Sequence, residues 1–173
     1  KNNNNIKLIL KDQSNLYNVL GKIHIQDLKN SKFKDLISEE LISNILFISK
    51  NLNCEQINDL YGIADCYVSP YLAEGFGLTP LEASSSGTPI VVTKGGATDD
   101  YFNPIMGKQI HSRLIKDNKA TYLRPNIDSL VECINHIIEN PKNYGGKKSH
   151  NFIAQHSDAR VFEQLIYYLM NIL

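Results

Sequence analysis

Residues 74–82 read Glu-Gly-Phe-Gly-Leu-Thr-Pro-Leu-Glu, two carboxylates with seven residues between them around a glycine-rich turn that opens a helix. Gly75 and Gly77 let the backbone approach a ligand closely or take positive φ. Thr79 is a good N-cap, and Pro80 suits the first helical position, where its missing N–H is no loss. Leu78 and Thr79 then sit at a helix N-terminus, whose unpaired N–H groups and positive macrodipole end favour a diphosphate. Glu74 flanks this turn from the strand side, and Glu82 falls in the first helical turn. Carboxylates accept hydrogen bonds from hydroxyls while the turn faces phosphates, so the segment can hold both halves of a nucleotide sugar. Glu82 has a second reading: Thr79-x-x-Glu82 is also a capping box, in which the glutamate reaches back to the Thr79 backbone and needs no ligand. Glu74, beside two glycines and just after an apolar strand, has no capping or core role.

The elements that must position this turn alternate between strand and helix. Ile6–Leu10 is a short apolar run, followed by a helical stretch over Leu16–Leu28, and Ile45–Ser49 is a second strand. Cys54–Ala64 places Ile57, Leu60 and Tyr61 at helical spacing, and Cys66–Ser69 leads as a third strand into the glycine turn. The helix from Pro80 stops at Gly87. Pro89–Thr93 is β-branched without polar alternation, as in a strand covered on both faces. Gly95-Gly96 makes the next loop, with Thr98 and Asp99 suited to cap a helix start. Asn103–Lys119 carries no clear period. Ala120–Leu123 is a last, weaker strand, and Ser129–Glu139 is an amphipathic helix with Asp128 as its N-cap. Strands alternating with helices predict a Rossmann-like, doubly wound parallel sheet, in which ligands bind at the carboxyl ends of the strands. The 49–53, 74–82 and 94–99 loops all follow strands and converge on that rim.

Composition sets the outer limits. With 173 residues, 42% of them hydrophobic and no apolar run near the ~20 residues a bilayer span needs, one soluble domain is expected. The formal net charge is zero and the basic residues are scattered, which argues against a nucleic-acid surface. Cys54, Cys66 and Cys133 are widely spaced without a CxxC pair, which suits a reducing, cytoplasmic setting and neither a disulfide framework nor a zinc site. The five histidines, His24, His111, His136, His150 and His156, have no metal-ligand spacing, and Asp99 and Asp100 read better as a solvated helix start than as metal ligands. No metal and no cofactor are expected.

Residues 64–93, from Ala-Asp-Cys-Tyr-Val-Ser-Pro through the Glu-x7-Glu segment to Gly-Thr-Pro-Ile-Val-Val-Thr, resemble the donor-site signature of the retaining GT-B glycosyltransferases of the group 1 family. The order and spacing match over about thirty residues, and the strand and helix pattern is compatible with the family over most of the chain. The resemblance implies the C-terminal half of a GT-B fold acting on a nucleotide-diphosphate sugar without a metal. It implies that Glu74 contacts the donor sugar, that Gly75, Phe76, Gly77, Leu78 and Thr79 meet sugar and diphosphate, and that Glu82 binds the ribose. It also implies that Gly95 and Gly96 line the sugar side and that Asn51 and Leu52 lie in the loop that reads the nucleobase.

Family members pair two Rossmann-like domains across a cleft, and 173 residues suffice for one. Residues 1–173 are therefore expected to be the donor-binding domain lacking its first strand. The acceptor domain and the basic Arg and Lys pair that neutralises the leaving diphosphate would lie upstream. Lys11 is a weak substitute for that pair, since a lysine ending a strand is usually solvated. A closing helix over Ala159–Leu173, with Val161, Phe162, Leu165, Ile166 and Leu169 in a wide stripe, has the apolar excess of a helix that packs on a second domain. The rival class is a non-catalytic nucleotide-sugar binding module. A nucleotide-sugar dehydrogenase or epimerase is disfavoured because no GxGxxG follows a first strand.

Overall fold

A computed structural model describes residues 6–12, 27, 29–32, 34–118 and 120–154. The helix expected over Leu16–Leu28, apart from Asp27, and the closing helix over Ala159–Leu173 lie outside these described residues. The chain divides into two compact units, Lys1–Asn53 and Cys54–Leu173.

In the first unit, β1 (Leu8–Lys11) pairs in parallel with β2 (Ile45–Ile48), in register from Leu8 opposite Ile45 to Lys11 opposite Ile48. The short helix α1 (Glu39–Ser43) leads into β2 and is capped by Ser38, whose hydroxyl accepts from the Leu41 N–H at 3.0 Å. At the carboxyl ends of the strands, Ser49 Oγ donates to Asp12 Oδ2 at 2.9 Å and ties the two exits together.

The second unit runs α2 (Cys54–Ile63), β3 (Tyr67–Ser69), α3 (Leu78–Ser85), β4 (Ile90–Thr93), β5 (Gly107–Ile110), β6 (Ser112–Lys116), β7 (Thr121–Pro125), α4 (Ile127–Glu139) and α5 (Gly146–Ala154). β4 is its axis. All four of its residues are buried, and it pairs in parallel with β3 on one edge and β5 on the other. Side chains alternate across a strand, so β4 feeds two apolar layers. Ile90 and Val92 pack with Ala83, Tyr101, Met106 and Ile153, while Val91 packs with Ile110, Cys133 and Ile137. The first layer is closed by α3 and α5, and the second by α4, so helices cover both faces as the unbroken β-branched run predicts. Among the described residues no helix is long and apolar enough to cross a membrane.

Three expectations are corrected here. The segment from Asn103 to Lys119, which has no legible period, carries β5 and β6. Ala120–Leu123 does not extend the parallel sheet: β7 pairs antiparallel with β6, from Ser112 opposite Pro125 to Lys116 opposite Thr121. The connection between them is far shorter than the dozen or more residues a parallel crossover requires, and it closes as a turn in which Ala120 N–H donates to Asp117 Oδ1 at 2.8 Å. The cap of α4 is Asn126, not Asp128; the Asn126 side chain accepts from the Ser129 N–H at 2.7 Å. Asp128 falls in the first turn instead, where its charge suits the macrodipole.

Candidate functional site

The glycine turn lies between β3 and α3, and the 94–99 loop follows β4. Because β3 and β4 are adjacent and parallel, both segments leave the sheet at the same carboxyl rim. Two of the three loops expected on one rim are thus brought together. The third, with Asn51 exposed and Leu52 half-buried, follows β2 in the first unit.

The start of α3 differs from the sequence expectation. Gly77, not Thr79, is the N-cap, held in the left-handed region at φ +85° and ψ 52°. Leu78 becomes the first helical residue, Thr79 the second and Pro80 the third. Proline is still tolerated there, since the first four helical N–H groups have no intrahelical acceptor. The amides of Leu78 and Thr79 are the donors that this first turn presents, and both residues are exposed. A Cβ on residue 77 would lie 2.8 Å from the Tyr101 hydroxyl oxygen and 2.9 Å from Thr98 Cγ2, so glycine is needed for the approach as well as for the dihedral.

The shifted cap removes the capping-box reading of Glu82. It lies in the second turn of α3, not the first, and Thr79 is no longer placed to complete a capping box. Thr79 Oγ1 instead accepts from the Tyr67 hydroxyl at 3.0 Å, and Glu82 Oε2 accepts from the Tyr61 hydroxyl at 3.2 Å. Glu74 is exposed on the other side of the turn, where its Oε1 accepts from the Gly75 N–H at 2.9 Å. Phe76 stands at the rim, 47% exposed, with its ring centroid 5.4 Å from that of Tyr101.

The facing loop is held rigidly against this turn. Gly95 takes φ +93°, and its N–H donates to Asp99 Oδ2 at 2.9 Å, while Gln109 Nε2 donates to Asp99 Oδ1 at 2.6 Å. Residues 97–100 form a single 3-10 turn with Gly96 as its N-cap, so Thr98 and Asp99 lie within the turn and not at its cap. Gly96 lies against Tyr71, where an added Cβ would fall 2.8 Å from the ring. The Tyr71 hydroxyl donates to the Thr93 carbonyl at 2.9 Å and lies 2.7 Å from Thr98 Oγ1, while Thr93 Oγ1 returns a bond to the Tyr71 carbonyl at 2.9 Å. The buried Tyr101 hydroxyl donates to the Gly77 carbonyl at 2.6 Å. Burial foremost, then the neighbouring Tyr71 and Glu74, pushes the Tyr101 phenol up, so it remains a donor at neutral pH.

Four tyrosines therefore support the turn and the facing loop, and sequence reasoning gave none of them a site role. Their signal was available only as chemistry: a buried tyrosine needs a partner for its hydroxyl where phenylalanine does not. Asp99 is occupied by Gly95 and Gln109, and among the described residues no group of three or more His, Cys, Asp or Glu side chains could hold a metal ion.

A parallel sheet covered on both faces, with a glycine turn and a glycine loop on its carboxyl rim, is a Rossmann-like arrangement. The solved structures of that shape include Anabaena HepE in complex with UDP (TM-score 0.61, 16% identity, 97% of this chain and 41% of that one). A sucrose-phosphate synthase from Thermosynechococcus elongatus is a second (TM-score 0.57, 20% identity, 82% and 34%). Residues 1–157 match the family of glycosyl transferases group 1, and the chain belongs to that family. Among its relatives, the lipopolysaccharide core biosynthesis mannosyltransferase LpsB of Rhizobium meliloti is 43% identical over 68 residues, covering 39% of this chain and 18% of that protein. The MMP alpha-(1->4)-mannosyltransferase of Mycolicibacterium hassiacum is 39% identical over 75 residues, covering 43% and 18%. The chain thus spans about a fifth of the length of these curated relatives.

Proposed function

We propose that this chain is the C-terminal, donor-binding domain of a glycosyltransferase that moves a hexosyl group from a nucleotide-diphosphate sugar to an acceptor hydroxyl with retention of configuration. The observation that carries the reading is the start of α3, where glycine-capped, exposed amides at Leu78 and Thr79 stand between two exposed glutamates. Amides and the positive helix end suit a diphosphate, and they stabilise it most as charge builds on departure from the sugar. Glu74 holds the sugar hydroxyls and so orients the anomeric carbon for attack; its role is placement and not proton transfer. Glu82 accepts from the ribose, and Gly95 and Gly96 allow the sugar to approach the backbone. The acceptor side is supplied by the N-terminal domain of the same protein, in a cytoplasmic enzyme.

Calorimetric titration with UDP, GDP and ADP and their sugar conjugates tests this reading. Glu82→Gln is expected to weaken nucleoside diphosphate binding by about 1 to 3 kcal/mol, the range for hydrogen bonds to a charged acceptor. Glu74→Gln is expected to spare the free diphosphate and weaken only the sugar-bearing donor. Equal losses for both ligands in Glu74→Gln would remove its sugar contact.

A further inference from the structure

Glu82 is a long, exposed side chain on α3, and such a carboxylate in water samples many rotamers unless something holds it. Among the described residues its side-chain bond is to Tyr61, and Tyr61 is fixed from three directions. Its carbonyl accepts from Thr88 Oγ1 at 2.7 Å, at the end of the α3 crossover. Its ring packs edge-on against Tyr67, with centroids 5.7 Å apart and planes at 82°. Three residues earlier on the same helix, Asn58 Oδ1 accepts from Ser86 Oγ at 2.8 Å, which stitches α2 to the end of α3. From this anchored position the Tyr61 hydroxyl donates to Glu82 Oε2. Burial first, then the Glu82 charge, pushes the phenol up, so it stays protonated and keeps donating across the neutral range.

We infer that Tyr61 is a positioning residue that locks the Glu82 carboxylate with one oxygen held and the other, Oε1, turned free to accept from the two vicinal hydroxyls of a ribose. This rests on the donor-site reading above. An ionised carboxylate has about two acceptor directions on each oxygen, so fixing Oε2 leaves a defined pair on Oε1. The expected result is discrimination between a nucleotide bearing the diol and one lacking it, set by a residue that does not itself touch the ligand.

The test compares UDP, GDP or ADP, whichever binds, with its 2′,3′-dideoxy counterpart by calorimetry on the chain, alongside thermal unfolding. In Glu82→Gln the preference for the diol should collapse. In Tyr61→Phe, which keeps the ring, the preference should fall by about 3- to 10-fold with an unchanged Tm, the span expected for one lost hydrogen bond of ordinary net strength. Tyr67→Phe loses a comparable hydroxyl, bonded to Thr79, and should leave the ratio of the two affinities unaltered. If Glu82→Gln abolishes the preference and Tyr61→Phe does not change it, the positioning role is overturned while the ribose role of Glu82 stands. An equal loss for both ligands in Tyr61→Phe, with a lowered Tm, also overturns it in favour of a structural role. If Glu82→Gln leaves the preference intact, the ribose reading fails and this inference with it.

Discussion

Replacing Gly77 with alanine perturbs the turn at its narrowest point, and the structure gives the size of the effect. At φ +85° an L-residue in the left-handed region costs about 1 to 2 kcal/mol. The new Cβ also meets the Tyr101 hydroxyl at 2.8 Å and Thr98 Cγ2 at 2.9 Å. Tyr101 and Thr98 are buried, and overpacking of this kind costs about 1 to 3 kcal/mol more. The sum, roughly 2 to 5 kcal/mol, is a large fraction of the ~5 to 15 kcal/mol that holds a domain folded. The chain has no tryptophan and nine tyrosines, so urea unfolding can be followed by tyrosine fluorescence. At a slope of about 2 kcal/mol per molar, the midpoint should fall by roughly 1 M or more. Adding Thr98→Ser removes the crowding methyl while keeping the hydroxyl that meets Tyr71, and should recover the Thr98 share of the loss but not the dihedral strain. A midpoint equal to that of the parent chain would refute the close-approach argument, and an unchanged nucleotide affinity in Gly77→Ala would separate the turn from the binding site.

Further outcomes follow from other parts of the molecule. On the proposal that α3 meets the diphosphate with backbone amides, nucleoside diphosphate affinity should be the same with and without EDTA; binding that needs magnesium or manganese would contradict the metal-independent account. Residues 1–173 alone should transfer no radiolabelled sugar, while the protein with its acceptor-side half should. Glutamate-dependent transfer by the 173-residue chain would defeat the half-enzyme proposal, and an inactive full-length protein that still binds donor would favour the accessory-module alternative. Cys54 is exposed, whereas burial foremost, with Asp65 beside it, pushes the Cys66 thiol up to about 12, and burial raises Cys133 as well. At pH 8 a raised thiol holds little thiolate, so mass spectrometry after brief alkylation should find Cys54 modified first, and equal rates at all three would refute this.

How much of this was legible in the sequence depended on whether a local pattern was also the deciding one. Pro89–Thr93 reads as a doubly covered strand because every residue is apolar or β-branched, and β4 is buried throughout. The glycine turn and its rim position were equally legible, since both follow from local chemistry. The cap of α3 was not. Thr79 is the better cap by propensity, but the Tyr101 bond to the Gly77 carbonyl and the Tyr67 bond to Thr79 come from distant segments and move the helix start to Leu78. The β6–β7 hairpin was hidden for another reason. Its strands are partly exposed and carry Arg113, Lys116 and Arg124, so no hydrophobic period marks them, and only the register of pairing defines them. Glu82 was found by motif, yet what holds it lies 21 residues upstream on α2, beyond the reach of any spacing rule.

The burial of β4 has a consequence for measurement. Its amides lie in a strand bonded on both edges and shielded on both faces, so hydrogen there should exchange with solvent only when the second unit opens as a whole. The β6–β7 hairpin, with a largely exposed strand, should exchange through smaller local openings. A ligand that binds only the folded state slows global opening in proportion to its occupancy. The exchange rates of Val91 and Val92 are therefore an internal gauge of site occupancy, read from the backbone of a fully buried strand and needing no label on protein or nucleotide.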